Sequence, residues 1–428
     1  MEHGAGCDML IVQPPLTSHD CKFFGKNADL PRDDVQQFTV MPAQDHAPGS
    51  KVKCTFISID QVAHTHPWVA SQPVWEHTTA WGIEMGSNTH GVVVGSVALS
   101  SKLRDLSDRT ARLIDLDLNR LALERSKTAA EAVDVIAQLV SEHGQGGIMS
   151  ENDPTGESYD SAYLIVDKNE TWLVETTEYY WAARQVTEPW FNISNHMTIT
   201  TNYDKLHPGI EQVCIERGLW SKVTDQEKFN WSAALGLVNP VWVTEERKRN
   251  GENIMRQLVA ERQNMNITFR DVASFFRNRE SGICRSGADN PVWSISTMIS
   301  MIPPATSNTP KLHTFTLTPD PARSLLKPFV WSDKPDAVVE PLVATKPGMK
   351  QHQLYAAHAK HVIKDENGRA EAIMAKMQQL EEKYVGDYEA ALAKNEPIDS
   401  ATGWFRKYAE SEMALYDFHS NLHFGIVE

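Results

Sequence analysis

The sequence predicts an α+β protein, with β-sheets packed on one another and helices outside. Three observations carry this: strands and turns fill the first hundred residues, a pair of helices follows, and strands then return. Residues 9–12 and 23–25 flank a turn-rich stretch. Residues 53–59 are rich in β-formers, and the valine-rich run 92–97 follows the turn Asn88-Thr89-His90-Gly91. A helix is expected over 112–124, with Ile114, Leu118 and Leu121 on one face. Thr128, with Glu131 three positions on, reads as the capping box of a second, whose apolar face is Val133, Ile136, Ala137 and Val140 and whose stop is Gly144.

Strands are expected again at 162–166 and 172–175, joined as a hairpin, and at 181–186 and 193–200. Residues 204–278 are polar and read as mostly helical, with a basic cluster at 247–249. Two further strands are expected at 293–302 and 312–317, then an extended connector over 335–350. A long helix over 366–392 carries Ala370, Ile373, Met377, Leu380 and Tyr384 near one face, which reads as core packing, with a partner helix as the alternative.

Composition excludes several classes. The 428 residues carry a formal charge of −15, so the chain lacks the basic footprint that nucleic acid or an anionic membrane requires. Its best apolar run, 91–99, has the length of a strand, so no membrane-spanning helix is expected. The first residues lack the basic and apolar regions of a secretory signal. Five cysteines, odd in number and irregularly spaced, fit reduced thiols and a cytoplasmic location.

Cys7 is the candidate nucleophile. Removal of residues 1–6 at the sterically open Gly6–Cys7 bond would give it a free α-amine, whose ordinary pKa of about 7.7–8.0 leaves a useful neutral fraction to take the thiol proton. In Gly25-Lys26-Asn27-Ala28-Asp29, a hairpin partner could return beside Cys7, Asp29 orienting the amine and Lys26 favouring the thiolate. The bland reading of that segment is a turn with a surface lysine. Asn88, in a Gly-rich turn, and Asn195, at the head of a strand, are candidate amide donors to an oxyanion; Asn88 otherwise shapes its turn. His64-Thr65-His66 has no evident third ligand and reads as structural. No nucleophile-elbow, Walker or dinucleotide-binding motif occurs.

These pieces occur in one order that resembles the secernins. Cys7-Asp8 is followed by Phe24-Gly25-Lys26-Asn27-Ala28-Asp29, Asp45-His46-Ala47-Pro48-Gly49 and Ile59-Asp60-Gln61-Val62. Trp81-Gly82-Ile83-Glu84-Met85-Gly86-Ser87-Asn88, Trp172-Leu173-Val174-Glu175-Thr176, Asn192-Ile193-Ser194-Asn195, Glu280-Ser281-Gly282-Ile283-Cys284 and Thr318-Pro319-Asp320-Pro321 come later. The resemblance covers roughly residues 7–331. It implies the dipeptidase branch of the N-terminal-nucleophile cysteine hydrolases: an αββα sandwich of two antiparallel sheets covered by helices. Carried over, Cys7 matches the nucleophile and Asp29 the amine-orienting carboxylate. Asn88 and Asn195 match the oxyanion asparagines, and Lys26 stands where related amidases have Arg. The chain departs at Ser96-Val97, where a secernin is expected to have Asn-Glu. No residue is assigned to the second catalytic Arg, Arg285 lying near the right region.

The expected organisation is a short leader at 1–6, a hydrolase domain at 7–334, and a connector with a C-terminal helical extension packed on it at 335–428. The expected function is cysteine-type hydrolysis of small peptides or related amides, without metal or organic cofactor. The alternative is a non-hydrolytic role in secretion or exocytosis through partner binding. Assembly into a homo-oligomer stays open.

Overall fold

The computed structural model describes residues 6–417 except 76–79, 106, 149–157, 225, 238–243, 264, 332–341, 346–348 and 399–402. Most of the expected leader, and much of the connector, lie outside the described residues.

The first strand, β1 (Gly6–Val12), is buried along its whole length, as its unbroken apolar run from Met9 requires. It pairs antiparallel with β2 (Lys22–Pro31), so Gly25–Asp29 is strand and not turn, and Cys7 faces Ala28 across the ladder. The chain then enters a second sheet through β3 (Val35–Met41), β4 (Trp68–Val74), β5 (Met85–Asn88) and β6 (Val93–Leu99). Two helices follow, α1 (Asp115–Arg125) and α2 (Ala129–His143). The Thr128 hydroxyl accepts from the Glu131 N–H at 3.1 Å, as the capping signal predicted.

The hairpin β7 (Asp160–Val166) and β8 (Thr171–Thr177) extends this sheet, which β9 (Tyr180–Gln185) continues. The strand expected at 193–200 is instead short. β10 (Trp190–Ile193) crosses to the first sheet and ends where Asn195 adopts φ 52°, a left-handed conformation that no strand accommodates and that Asn tolerates better than most residues. Short β11 (Lys205–Leu206) edges the second sheet. The polar region to 278 holds α3 (Thr244–Glu261) and α4 (Phe269–Phe276) between shorter helices and loops. Long β12 (Val292–Ile302), β13 (Leu312–Phe315) and β14 (Lys327–Val330) complete the first sheet.

Two antiparallel sheets result, ordered β10-β1-β2-β12-β13-β14 and β11-β9-β8-β7-β6-β5-β4-β3. Strand alternation sorts their side chains. Met9, Ile11, Phe24 and Met298 from one sheet and Met85, Val93, Val97 and Leu164 from the other form the core between them. On the outer face of the second sheet, Trp68, Val92, Val94 and Tyr163 pack with Leu118, Leu121, Val133 and Ile136 of α1 and α2. Leu10, Val12, Phe23 and Ile299 pack outward with Phe269, Phe275 and Phe276 of α4, giving the four layers of an αββα sandwich.

The C-terminal helices α5 (Ala370–Lys394) and α6 (Trp404–Tyr416) pack on the first sheet. Ala370, Ile373, Met377 and Tyr384 of the expected apolar face are buried, so this face is core. The Tyr384 hydroxyl donates to the Leu326 carbonyl at 2.8 Å, and Lys327 of β14 pairs with Glu412 of α6 at 2.7 Å, both side chains fully buried. No described helix is long and apolar enough to cross a membrane.

Candidate active site

The register of β1 on β2 builds the site. Cys7 opposes Ala28, Met9 opposes Lys26, and Gly6 opposes Asp29. Alternation turns Cys7 and Lys26 into the space between the sheets, as diagonal neighbours on one face. Asp8 and Asp29 point to the other face of the same strands. The sequence segment that held Lys26 and Asp29 together therefore divides across the sheet.

On the Asp29 face the charges are tightly packed. Arg247, on the first turn of α3, donates from Nη1 to Asp8 Oδ2 at 2.7 Å and from Nη2 to Asn195 Oδ1 at 2.6 Å. The same guanidinium lies 3.7 Å from Asp29 Oδ2. Asp8 also accepts from the Ser194 hydroxyl, and Ser294 of β12 donates to Asp29 Oδ1 at 2.6 Å. Asp29 Oδ2 is buried without a hydrogen-bond partner. Burial pushes the Asp29 carboxyl up to about 7, Arg285 and Arg247 acting against it and Asp8 with it.

The Cys7 main-chain N–H donates to Asn195 Oδ1 at 2.8 Å, so the amide oxygen of Asn195 is shared by Cys7 and Arg247. Asn195 Nδ2 donates to the Ala98 carbonyl at the end of β6, 2.8 Å away, which ties the two sheets together at the site. The structure thus presents the acceptor end of this amide to the Cys7 nitrogen, where the sequence reading had its donor end facing an oxyanion. Gly6 lies under both arginines. A Cβ there would stand 2.7 Å from Arg285 Nη1 and 3.0 Å from Arg247 Nη2, so any side chain at position 6 must displace a guanidinium. The loop carrying Arg285 is pinned to β2 by Asn27, which donates to the carbonyls of Phe276 and Ile283 at 3.0 and 2.9 Å.

On the inner face, Lys26 reaches across to the second sheet and pairs with Glu84, just ahead of β5. Burial pushes the Cys7 thiol up to about 12. Lys26 draws it down, while Glu84 and Asp29 push it higher and an N–H of Asp29 favours the sulfur anion. All five cysteines are buried free thiols, and burial also raises the other four, Cys21, Cys54 and Cys284 to about 12 and Cys214 to about 11. With residue 6 attached, acidity does not single out Cys7.

Asn88 does not join this cluster. It faces the outer side of the second sheet, where its Nδ2 donates to the carbonyls of Leu123 and Ser126 at 2.9 and 2.8 Å and its Oδ1 accepts from the Val92 N–H at 3.1 Å. The oxyanion assignment of Asn88 is corrected on that geometry: its amide joins the end of α1 to a turn. Asn88→Ala is expected to lower stability by about 1–3 kcal/mol, the cost of stranding buried polar partners, while activity per folded molecule stays unchanged. Thermal melts beside activity normalised to folded protein check this.

The sequence does not single out Arg247 or Ser294 as site residues, and Asp8 enters it only as the neighbour of Cys7. For Arg247 the only signal was the basic cluster in a polar stretch. No protein-family model matches the chain. Among solved structures it is similar to two variants of conjugated bile acid hydrolase from Clostridium perfringens. One has TM-score 0.40 and 13% identity over 72% of this chain and 88% of that one. The other has TM-score 0.38 and 12% identity over 78% of this chain and 100% of that one.

Proposed function

We propose that the chain is a cysteine-type amidohydrolase whose nucleophile is Cys7, acting with its own α-amine as base after residues 1–6 are removed, and that its substrates are dipeptides or related small amides. The observation that carries this reading is the provision around the Gly6–Cys7 junction. An amide oxygen lies 2.8 Å from the Cys7 nitrogen, and a buried carboxylate oxygen without a hydrogen-bond partner belongs to Asp29, the residue paired with Gly6. Both are acceptors suited to a newly freed amine.

The neutral amine takes the thiol proton, and the sulfur attacks the substrate carbonyl. The second N–H of Asn195 and main-chain N–H groups are the donors to the developing oxyanion, while Arg247 and Arg285, on the Gly6 and Asp29 side of β1, act beside the α-amine. The protonated α-amine of Cys7 gives that proton to the leaving amine, and water then cleaves the thioester with the freed α-amine as base. A cytoplasmic site of action fits the five unpaired thiols.

The test is the intact mass of purified protein together with turnover on a panel of dipeptides and acyl amides. Loss of residues 1–6 accompanied by turnover is expected. A full-length mass and no turnover across the panel overturns the hydrolase reading and leaves the partner-binding role in secretion. Brief iodoacetamide labelling adds a second readout: Cys7 is expected to be modified before the other four cysteines in the trimmed protein and not in the untrimmed one.

A further inference from the structure

We propose that Glu84 is a positioning residue that restrains the Cys7 thiol: by clamping Lys26 across the space between the sheets, it withholds the ammonium from the sulfur. The inference rests on Cys7 being the nucleophile and assigns a regulator to it.

The geometry is specific. Lys26 and Cys7 are diagonal neighbours on the inner face of the first sheet, the spacing at which a long side chain can touch either its own sheet or the one opposite. Lys26 crosses. Its ammonium pairs with the Glu84 carboxylate and donates to the Glu84 carbonyl at 3.2 Å. Gly95 on β6 makes the crossing possible, since a Cβ at that position would stand 2.9 Å from Lys26 Cδ and 3.1 Å from the Phe24 ring. The acceptor end is also built. Asn119 of α1 donates to the carbonyls of Ile83 and Glu84 and to the Ser96 hydroxyl, and Ser96 donates to Asp115 at 2.8 Å. These bonds fix the backbone from which Glu84 projects.

The charged and titratable groups around this pair come from five segments. Lys26 and Asp29 lie on β2, Asp34 on the turn after it, Glu84 before β5, Asp115 on α1 and Tyr159 before β7. Lys26 is the cation among them, and two carboxylates, Glu84 and Asp115, act on it together with Cys7. Burial is the largest influence on Lys26 and works against its charge, but Glu84, Cys7 and Asp115 together hold Lys26 above the usual lysine range. For Cys7 the opposing influences of Lys26 and Glu84 follow burial in size. Burial favours the protonated thiol although Lys26 already draws it down, and an ammonium turned from Glu84 toward the sulfur would favour the thiolate further.

The experiment measures the pH dependence of Cys7 alkylation by iodoacetamide, read on the Cys7 peptide by mass spectrometry in the full chain. Variants are Glu84→Gln, Lys26→Met and the double substitution, which removes both charges of the buried pair together. Glu84→Gln is expected to move the profile to lower pH and raise the rate below the midpoint about tenfold, the equivalent of one pKa unit. Lys26→Met is expected to move it to higher pH. In the Lys26→Met background, adding Glu84→Gln is expected to change the rate much less than it does in the native background. Equal effects of Glu84→Gln in the two backgrounds mean that the carboxylate acts on sulfur directly, and the clamp is wrong; an unshifted profile in Glu84→Gln also overturns it. If Glu84→Gln does not fold, Glu84→Asp keeps the charge but draws it back by one methylene, and is expected to shift the profile the same way by a smaller step, no shift again overturning the clamp. Labelling requires no turnover, so a shifted thiol in a protein without hydrolase activity separates this inference from the proposed function.

Discussion

Cys7→Ala is expected to abolish amide hydrolysis, with a loss on the order of 10⁶-fold, the scale seen when a catalytic nucleophile is removed. The fold should tolerate it. Cys7 is buried among Met9, Ala28 and other side chains of the inter-sheet core, and its deletion to Ala removes one sulfur atom. Its main-chain N–H, which donates to Asn195, is kept. The same variant separates two routes of maturation. If Cys7 attacks the Gly6 carbonyl to release residues 1–6, Cys7→Ala retains them, and its intact mass is that of the full chain. A free terminus at residue 7 in the variant assigns the trimming to another protease while leaving the nucleophile in place. Wild-type turnover in the variant sinks the assignment of Cys7 altogether. Melting curves on both proteins guard the comparison, since a variant that melts like wild type cannot owe its silence to unfolding.

The layers were legible because burial imposes patterns. The run beginning at Met9, the capping box at Thr128 and Glu131 and the face from Ala370 to Tyr384 each report a local constraint, and each marks the element found. The strand expected through 193–200 failed because its apolar alternation continues past Asn195, while the chain at that point turns left-handed to aim the amide at Cys7. There a long-range contact with Cys7 overrides local propensity.

Site residues near Cys7 in the sheet were legible for the same local reason. Those that come from afar were not. Arg247 lies 240 positions from Cys7 in sequence and reaches it from α3. Glu84 meets Lys26 from the opposing sheet, and Ser294 meets Asp29 from β12. No spacing rule links such residues, because the pairing of sheets sets their distance. Asn88 shows the converse error. A polar residue in a Gly-rich turn reads alike whether it points inward to chemistry or outward to a helix end, and only the strand register decides.

Arg247→Met is expected to lower stability by about 3–5 kcal/mol near neutral pH, the range for breaking a buried ion pair by removing one partner. The loss arises from what stays behind. Asp8 keeps its bond from Ser194 but loses the guanidinium, Asp29 loses its nearest cation on α3, and the Asn195 oxygen retains only the Cys7 N–H. The pH dependence carries the stronger test. Burial already raises both carboxyls, that of Asp29 to about 7, against an ordinary aspartate near 3.9. Between those values the folded chain binds protons that the unfolded chain has released. The stability Asp29 contributes is therefore complete below about pH 4 and is lost as pH rises through 7, and Asp8, raised as well, acts with the same sign. Arg247 opposes that loss by favouring the charged forms, so its removal raises both pKa values further. The difference between wild type and Arg247→Met is then smallest at pH 5, where the carboxyls of the variant are protonated, and largest at pH 8, where wild type ionises them beside the guanidinium while the variant must keep them protonated or ionise them with Arg285 alone. Urea unfolding at the two pH values measures it. A difference that does not change with pH would show that Arg247 acts by packing its stem and not by compensating Asp8 and Asp29. Arg247→Lys returns the charge without the paired donors, and is expected to recover most of the pH 8 stability. Recovery of activity should be weaker, because one ammonium cannot hold Asp8 and Asn195 in the directions that the planar guanidinium fixes.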